Sequence, residues 1–398
     1  MTRRIFALLL LALALSPAIS LAGEPEESAA ASEPVTAEAL QTQAQNLLNS
    51  YDLSDWQATA ELLLGERENI NVRQLVLSFL RGEKTIDGRT VLERILQIAM
   101  QALRSSANLV AQLIVPALIC GILVRMRAAF ERDTVSEVCR YVAYLLVALI
   151  AVRHFFEQLT SVRAVVNSMA AGMQALFPLL LTLLAAVGGT SSSAFFQPAI
   201  VAASGTMTAL VRNVTLSFAL ATALVTVLTH ISPQIGLTRL RSLLKTIANW
   251  SLGICFTVFI GVMTVQGMGA AALDGVTLRT AKYAIDNFVP IVGGMFADTM
   301  DTLIACSLLV KNALGATGLV ILVGACLAPM TRILIASAIF RFCAAVTEPI
   351  ADEGVVNLLG DFAGVLTMLF TVLLSVAAMF FLLIAQLLLV GNLTVMLR

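Results

Sequence analysis

From Ala107 to its end the chain is a succession of apolar runs separated by short clusters of charged or small residues. In hydrocarbon every backbone N–H and C=O must be satisfied inside the protein, so continuous apolar runs of roughly 17–25 residues fold as membrane-crossing helices. The fold class implied is all-α, a polytopic α-helical membrane protein. Composition points the same way. Hydrophobic residues make up 59% of the 398 positions and charged residues 13%, about half the charge of a soluble domain. The formal net charge is 0 and no basic stripe occurs, which excludes a nucleic-acid partner on electrostatic grounds.

The apolar runs fall at about 107–124, 141–152, 164–187, 194–211, 214–230, 250–265, 302–325, 333–346 and 363–390. They predict about eight spans plus a re-entrant segment over 284–301, where Pro290, Gly293 and Gly294 break the pattern. The 141–152 run is short, and Arg140 and Arg153 at its ends lengthen it by snorkelling. Arg212 and Asn213 read as a turn between spans. Residues 231–249 carry Arg239, Arg241 and Lys245 without an acid, which predicts an interfacial amphipathic helix. The positive-inside rule then puts 125–140 and 231–249 in the cytoplasm, together with Arg398. The acidic loop 348–361 falls outside.

Ahead of the oily region the sequence divides into three parts. Arg3 and Arg4, the apolar run Ile5–Leu15, and the small residues Ala18, Ser20 and Ala22 form a secretory signal over 1–22. An uncleaved anchor is the other reading, and both put the adjoining residues outside the cytoplasm. Residues 23–39, rich in Glu, Ala, Ser and Pro, form a disordered linker. Residues 40–104 form a small helical extracytoplasmic region of three or four short amphipathic helices, and 105–398 the transmembrane domain. Ser54 with Gln57, Asn71 with Gln74, and Thr90 with Glu93 fit helix starts, with Ile70 and Leu75 placed for a hydrophobic staple. So small a core predicts docking onto a partner or the spans, or a position on the membrane surface.

Little in the sequence supports an enzyme. The two histidines, His154 and His230, lie far apart. Asp298 and Asp301 could bind a cation or relay protons if buried, or cap a helix start. Gly188–Gly189 and Gly293–Gly294 lack the Lys-Ser/Thr ending of a phosphate loop and suit close helix packing or a bend. The six cysteines lie in or beside apolar runs with no CxxC spacing, so they act as small hydrophobes. No catalytic residue, metal ligand set or cofactor motif is predicted. Lys311 lies either deep, paired with Asp286, Asp298 or Asp301, or at a turn. TALVRN at 208–213 echoes SLLVKN at 307–312, as duplicated halves of a transporter would.

The block from Thr264 to Ile350 carries a family resemblance. TVQG at 264–267, AIDNFVPIVGG at 284–294 with the aspartates after it, the stretch through Val310–Asn312 and the region around Thr331–Arg332 resemble the stage III sporulation protein AE family of endospore-forming bacteria. The resemblance implies a protein made in the mother cell that joins other subunits encoded in the same sporulation operon, and a forespore-side membrane partner. Together these form a channel or secretion-like complex across the two membranes around the forespore. It implies a multi-pass protein of the mother-cell membrane facing the forespore, and motor activity residing in a separate ATPase subunit. It transfers no catalytic residues. The residues expected at a conduit or subunit contact are Gln266, Asp286, Asn287, Pro290, Gly293, Gly294, Asp298, Asp301, Lys311, Asn312 and Arg332. An autonomous secondary transporter or permease for a small solute is the alternative.

Overall fold

The computed structural model describes residues 37–64, 71–82, 88–126, 133–231, 236–288 and 293–396. The proposed signal, most of the linker, Ile70 and Pro290 lie outside the described residues. Three short helices come first, α1 (Ala37–Ser50), α2 (Ser54–Leu64) and α3 (Val72–Leu80). Their starts are set by side-chain acceptors for orphan N–H groups. The Asn71 Oδ1 accepts the Gln74 N–H at 3.2 Å, as its spacing predicts. At α2 the acceptor is Asp52, which takes the Ser54 N–H at 2.9 Å. That bond holds the Asp52 carboxyl below the ordinary carboxylate range. Gln57 acts elsewhere. Its Oε1 accepts the Val72 N–H at 2.7 Å and ties α2 to the start of α3. Asn71→Ala is expected to destabilise α3 by about 1 kcal/mol, read as faster hydrogen exchange in the α3 amides while those of α2 stay unchanged.

Seven further helices follow: α4 (Gly88–Met126), α5 (Asp133–Ala186), α6 (Thr190–Ala202), α7 (Leu216–Ile231), α8 (Thr238–Phe288), α9 (Gly293–Thr347) and α10 (Glu353–Met396). Two π turns, Ala203–Met207 and Val211–Thr215, join α6 to α7 without a reversal. Counting α6–α7 as one, six helical units among the described residues are long and apolar enough to cross a membrane. Several of the expected runs are merged in these longer helices, and each merger has a physical reason. Arg153 and Glu157 pair at 3.2 Å one turn apart on the exposed side of α5, so the helix carries these charges without stopping. The 141–152 and 164–187 runs are therefore one rod. Pro329 lies inside α9 and removes one N–H, but packing on neighbouring helices keeps the helix intact. Arg212 sits exposed in a wide π turn and not at a reversal. The basic 231–249 segment supplies the first turns of α8 instead of a separate interfacial helix, and Thr90 lies inside a helix that has already begun at Gly88.

The expected turn at 188–189 does form. Gly188, at φ 97, lets the Gly189 N–H reach the Leu184 carbonyl at 2.9 Å and its own N–H reach Ala185 at 3.0 Å, the pattern that closes a helix through a left-handed residue.

The six units run alternately up and down. At one end Tyr144 donates to the Val227 carbonyl at 2.8 Å, and Gly121 abuts the backbone at Ile350–Ala351. Toward the other end Lys311 of α9 meets Leu387 and Leu388 of α10. Acidic 348–361 and basic 231–249 consequently share one end, because Arg241 forms an ion pair with Asp361. This overturns their expected placement on opposite sides. The same alternation puts the end of α10 at the same end of the bundle as the start of α4.

Helix α10 is the centre, packed against α5, α7, α8 and α9, with Phe362, Leu366, Leu369 and Leu373 wholly buried. Phe362 stacks on Phe340 and meets Phe155 edge-on. The short helices dock onto the long ones. Gly172 of α5 makes room for Trp56, Thr59 and Leu63, and Cys306 of α9 lies against Leu40 and Gln43. Cys255, Cys306, Cys326 and Cys343 are buried and free. At 1.5 Å per residue α5 and α9 each rise about 80 Å, against a hydrocarbon core of about 30 Å.

Candidate functional site

The residues expected at a conduit or contact separate into three places. The most developed is a polar layer inside the bundle. Helix α9 carries Lys311 into the core, where it is 0% exposed. Its Nζ donates to the Leu388 carbonyl at 3.1 Å and to the Leu387 carbonyl at 3.4 Å, both on α10. Each carbonyl keeps a second lone pair after its helical bond, so the ammonium is solvated by backbone. Approach this close requires Gly391, whose missing Cβ would lie on the Lys311 ammonium. Beside it Asn312 Nδ2 donates to Asn392 Oδ1 at 3.2 Å, and Gln386 of α10 reaches the Met263 carbonyl of α8. The layer therefore joins α8, α9 and α10 through polar contacts in an apolar core.

The expected carboxylate partner for Lys311 is corrected. Asp298 and Asp301 lie on the same helix, about 20 and 15 Å of rise away, beyond the reach of a lysine side chain. Asp301 is half-buried near the start of α9. Burial of Lys311 without a carboxylate costs free energy that packing must offset.

Gln266, Asp286 and Asn287 belong to the second half of α8, and Gly293, Gly294 and Asp298 to the first turns of α9. The side chains of these six lie outside the described residues. Helical rise alone carries α8 about 37 Å past Met263, so Asp286 and Asn287 lie toward the tip of the α8–α9 pair, remote from Lys311, whereas Gln266 lies one helical turn past Met263. Arg332 belongs to a third place. It is exposed and lines a polar cavity of about 330 Å³ with Ser105, Asn108 and Gln112 of α4 and His154 and Glu157 of α5. The echo between 208–213 and 307–312 joins unlike environments, since Arg212 is exposed in a π turn and Lys311 is buried in a regular helix.

Sequence reasoning missed a fourth group. His230 Nε2 lies 2.8 Å from Asp361 Oδ2, and Arg241 pairs with the same oxygen. The cluster pins α7, α8 and α10 together. Asp361 is distant from both partners along the chain, and the only local signal was a basic segment with no acid of its own. No group of three or more His, Cys, Asp or Glu side chains able to hold a metal occurs among the described residues.

The family model described as stage III sporulation protein AE matches residues 70–391. A protein of Bacillus subtilis (strain 168) described as "Stage III sporulation protein AE" is 32% identical over 323 residues, covering 81% of this chain and 81% of that relative. No solved structure matches.

Proposed function

This chain belongs to the stage III sporulation protein AE family, and from that membership we propose that it is a membrane subunit of the channel or secretion-like complex linking mother cell and forespore during endospore formation. The observation that carries this reading is the extent of the family match, which covers nearly all of the helical bundle and not one motif within it. Within the complex the chain is a structural component and not an enzyme. It is a multi-pass protein of the mother-cell membrane facing the forespore. Its partners are the other subunits from the same operon and a forespore-side membrane protein.

The geometry supports a division of labour. Rods of about 80 Å cannot be contained in about 30 Å of hydrocarbon, so part of the bundle stands clear of the lipid. The docked α1–α3 helices and the tip bearing Asp286, Asn287, Gly293, Gly294 and Asp298 are then the surfaces offered to other subunits. The buried Lys311–Asn312 layer fixes α8, α9 and α10 relative to one another.

Affinity purification with crosslinking from sporulating cells tests the assignment, with the operon's other membrane subunits expected in the purified material. Recovery of this chain alone would overturn it. Asp298→Ala and Asp301→Ala are each expected to block forespore development with protein level and membrane insertion unchanged. Disappearance of both variant proteins would reduce the two residues to folding determinants. Purified protein in liposomes is expected to show no ion-gradient-driven solute uptake, the result that separates a complex subunit from a lone transporter.

A further inference from the structure

At the end of the bundle opposite the α8–α9 tip, three basic side chains gather along one face of α10. Helices α8 and α9 both pack on α10, and the valley between them has a floor made by Asp361, Gly364 and Thr367. These are one helical turn apart and lie on one face of α10. Each floor position meets a cation from a flanking helix. Arg241 of α8 pairs with Asp361. The Lys245 ammonium stands over Gly364, 3.4 Å from where a Cβ would be. Arg341 of α9 donates to the Thr367 hydroxyl at 3.2 Å. Lys245 is within electrostatic reach of both guanidinium groups. Three basic side chains therefore line this valley, and its one carboxylate is already shared by Arg241 and His230. Glu348, Asp352 and Glu353 lie at the α9–α10 turn, about 12 Å of helical rise away from Asp361.

The walls indicate what reaches this valley. Helix α8 turns Leu243, Ile247 and Trp250 outward, and α9 turns Leu334 and Phe342 outward, each except Ile247 more than half exposed. Such faces on helices long and apolar enough to cross a membrane meet acyl chains. A cation pair beside them, lacking a carboxylate, is stable when an anion with an apolar body fills the gap.

We propose that Arg241, Lys245 and Arg341 form a binding site for the phosphodiester headgroup of an acidic phospholipid. The headgroup phosphate lies over Gly364, bonded by Lys245 and Arg341, while Arg241 stays with Asp361 and fixes the valley's width. The lipid enters sideways, with its chains against Leu334 and the outer face of α8. Gly364 is required because a side chain there would occupy the space of the phosphate.

The test uses the full chain purified in a neutral detergent and fluorescent phosphatidylglycerol as the probe. Phosphatidylglycerol is expected to bind about tenfold or more tightly than fluorescent phosphatidylcholine. Lys245→Gln with Arg341→Gln is expected to remove that preference, from about a tenfold contribution by two cations near the membrane surface. Arg212→Gln, remote and exposed, is expected to leave it intact. If the double variant does not accumulate, Lys245→Gln alone is expected to lower affinity severalfold. Equal binding of the two lipids, or an unchanged preference in the Lys245 and Arg341 variants, would overturn the site. So would displacement of the lipid by millimolar inorganic phosphate, which would assign the same cations to a free anion. Each readout is independent of complex assembly, so its failure leaves the proposed function standing.

Discussion

Gly121→Ala is expected to lower the stability of the bundle by more than the about 1–3 kcal/mol that a forced methyl group usually costs in a packed core. The reason is what surrounds the new atom. An added Cβ would meet the Ile350 carbonyl group, with its carbon at 2.6 Å, and the Ala351 Cα at 2.8 Å. All are backbone atoms, and none can rotate away. They belong to a turn held by Ile350 and Ala351 N–H groups donating to the Thr347 carbonyl at 3.0 and 2.7 Å. The Thr347 hydroxyl is itself buried and donates to Cys343 at 2.7 Å. Relief therefore requires α4 to withdraw from the α9–α10 turn. Thermal unfolding followed by size-exclusion chromatography in mild detergent measures the loss. Gly253→Ala, with nothing within 4 Å of its added Cβ, is expected to be neutral or slightly stabilising through helix propensity. Equal melting of the two variants would show that α4 does not approach this turn.

The second large effect is expected at the Lys311 layer and reads as a coupling. Gly391→Ala puts a methyl group on the Lys311 ammonium and within 2.8 Å of its Cε, so one of them must leave a wholly buried place. The expected cost is about 2 kcal/mol. Lys311→Ala removes the obstacle, and in that background Gly391→Ala is expected to cost less than half as much, an interaction of about 1–2 kcal/mol between the two sites. Additive costs would show that the ammonium does not sit over Gly391. Lys311→Met separates fold from function. It keeps the bulk and discharges the layer while Leu387 and Leu388 retain their helical hydrogen bonds, so the protein is expected to accumulate normally or to gain stability. Spore formation is nonetheless expected to fall, because Lys311 no longer ties α9 to the Leu387 and Leu388 carbonyls of α10. Normal sporulation in this variant would confine Lys311 to a packing role.

What the sequence disclosed and what it hid divide along one line. Local hydrogen-bond chemistry was legible. Asn71 caps its helix through Gln74 and Gly188 ends α5, because both depend on residues a few places apart. The membrane class was legible from the length of the apolar runs. Span boundaries were not, because Arg153, Arg212 and Pro329 look like interruptions only until their neighbours are known. Arg153 has Glu157 one turn on, Arg212 sits in a π turn that widens the helix without reversing it, and Pro329 is braced by packing. The pairing of Asp361 with Arg241 and His230 joins segments that no local pattern connects. Missing it inverted the side assigned to the acidic loop. The Lys311 environment was half legible: a deep position follows from its flanks, but a backbone partner in place of a carboxylate depends on a glycine eighty residues away.

Helix α9 carries the tip aspartates at its start, Lys311 along its length and Arg341 near its finish, with no break among the residues between. A stiff column of this kind does not dissipate an axial push. Displacing its first turns would therefore tilt or slide its far end, so one helix couples the two ends of the bundle as a strut.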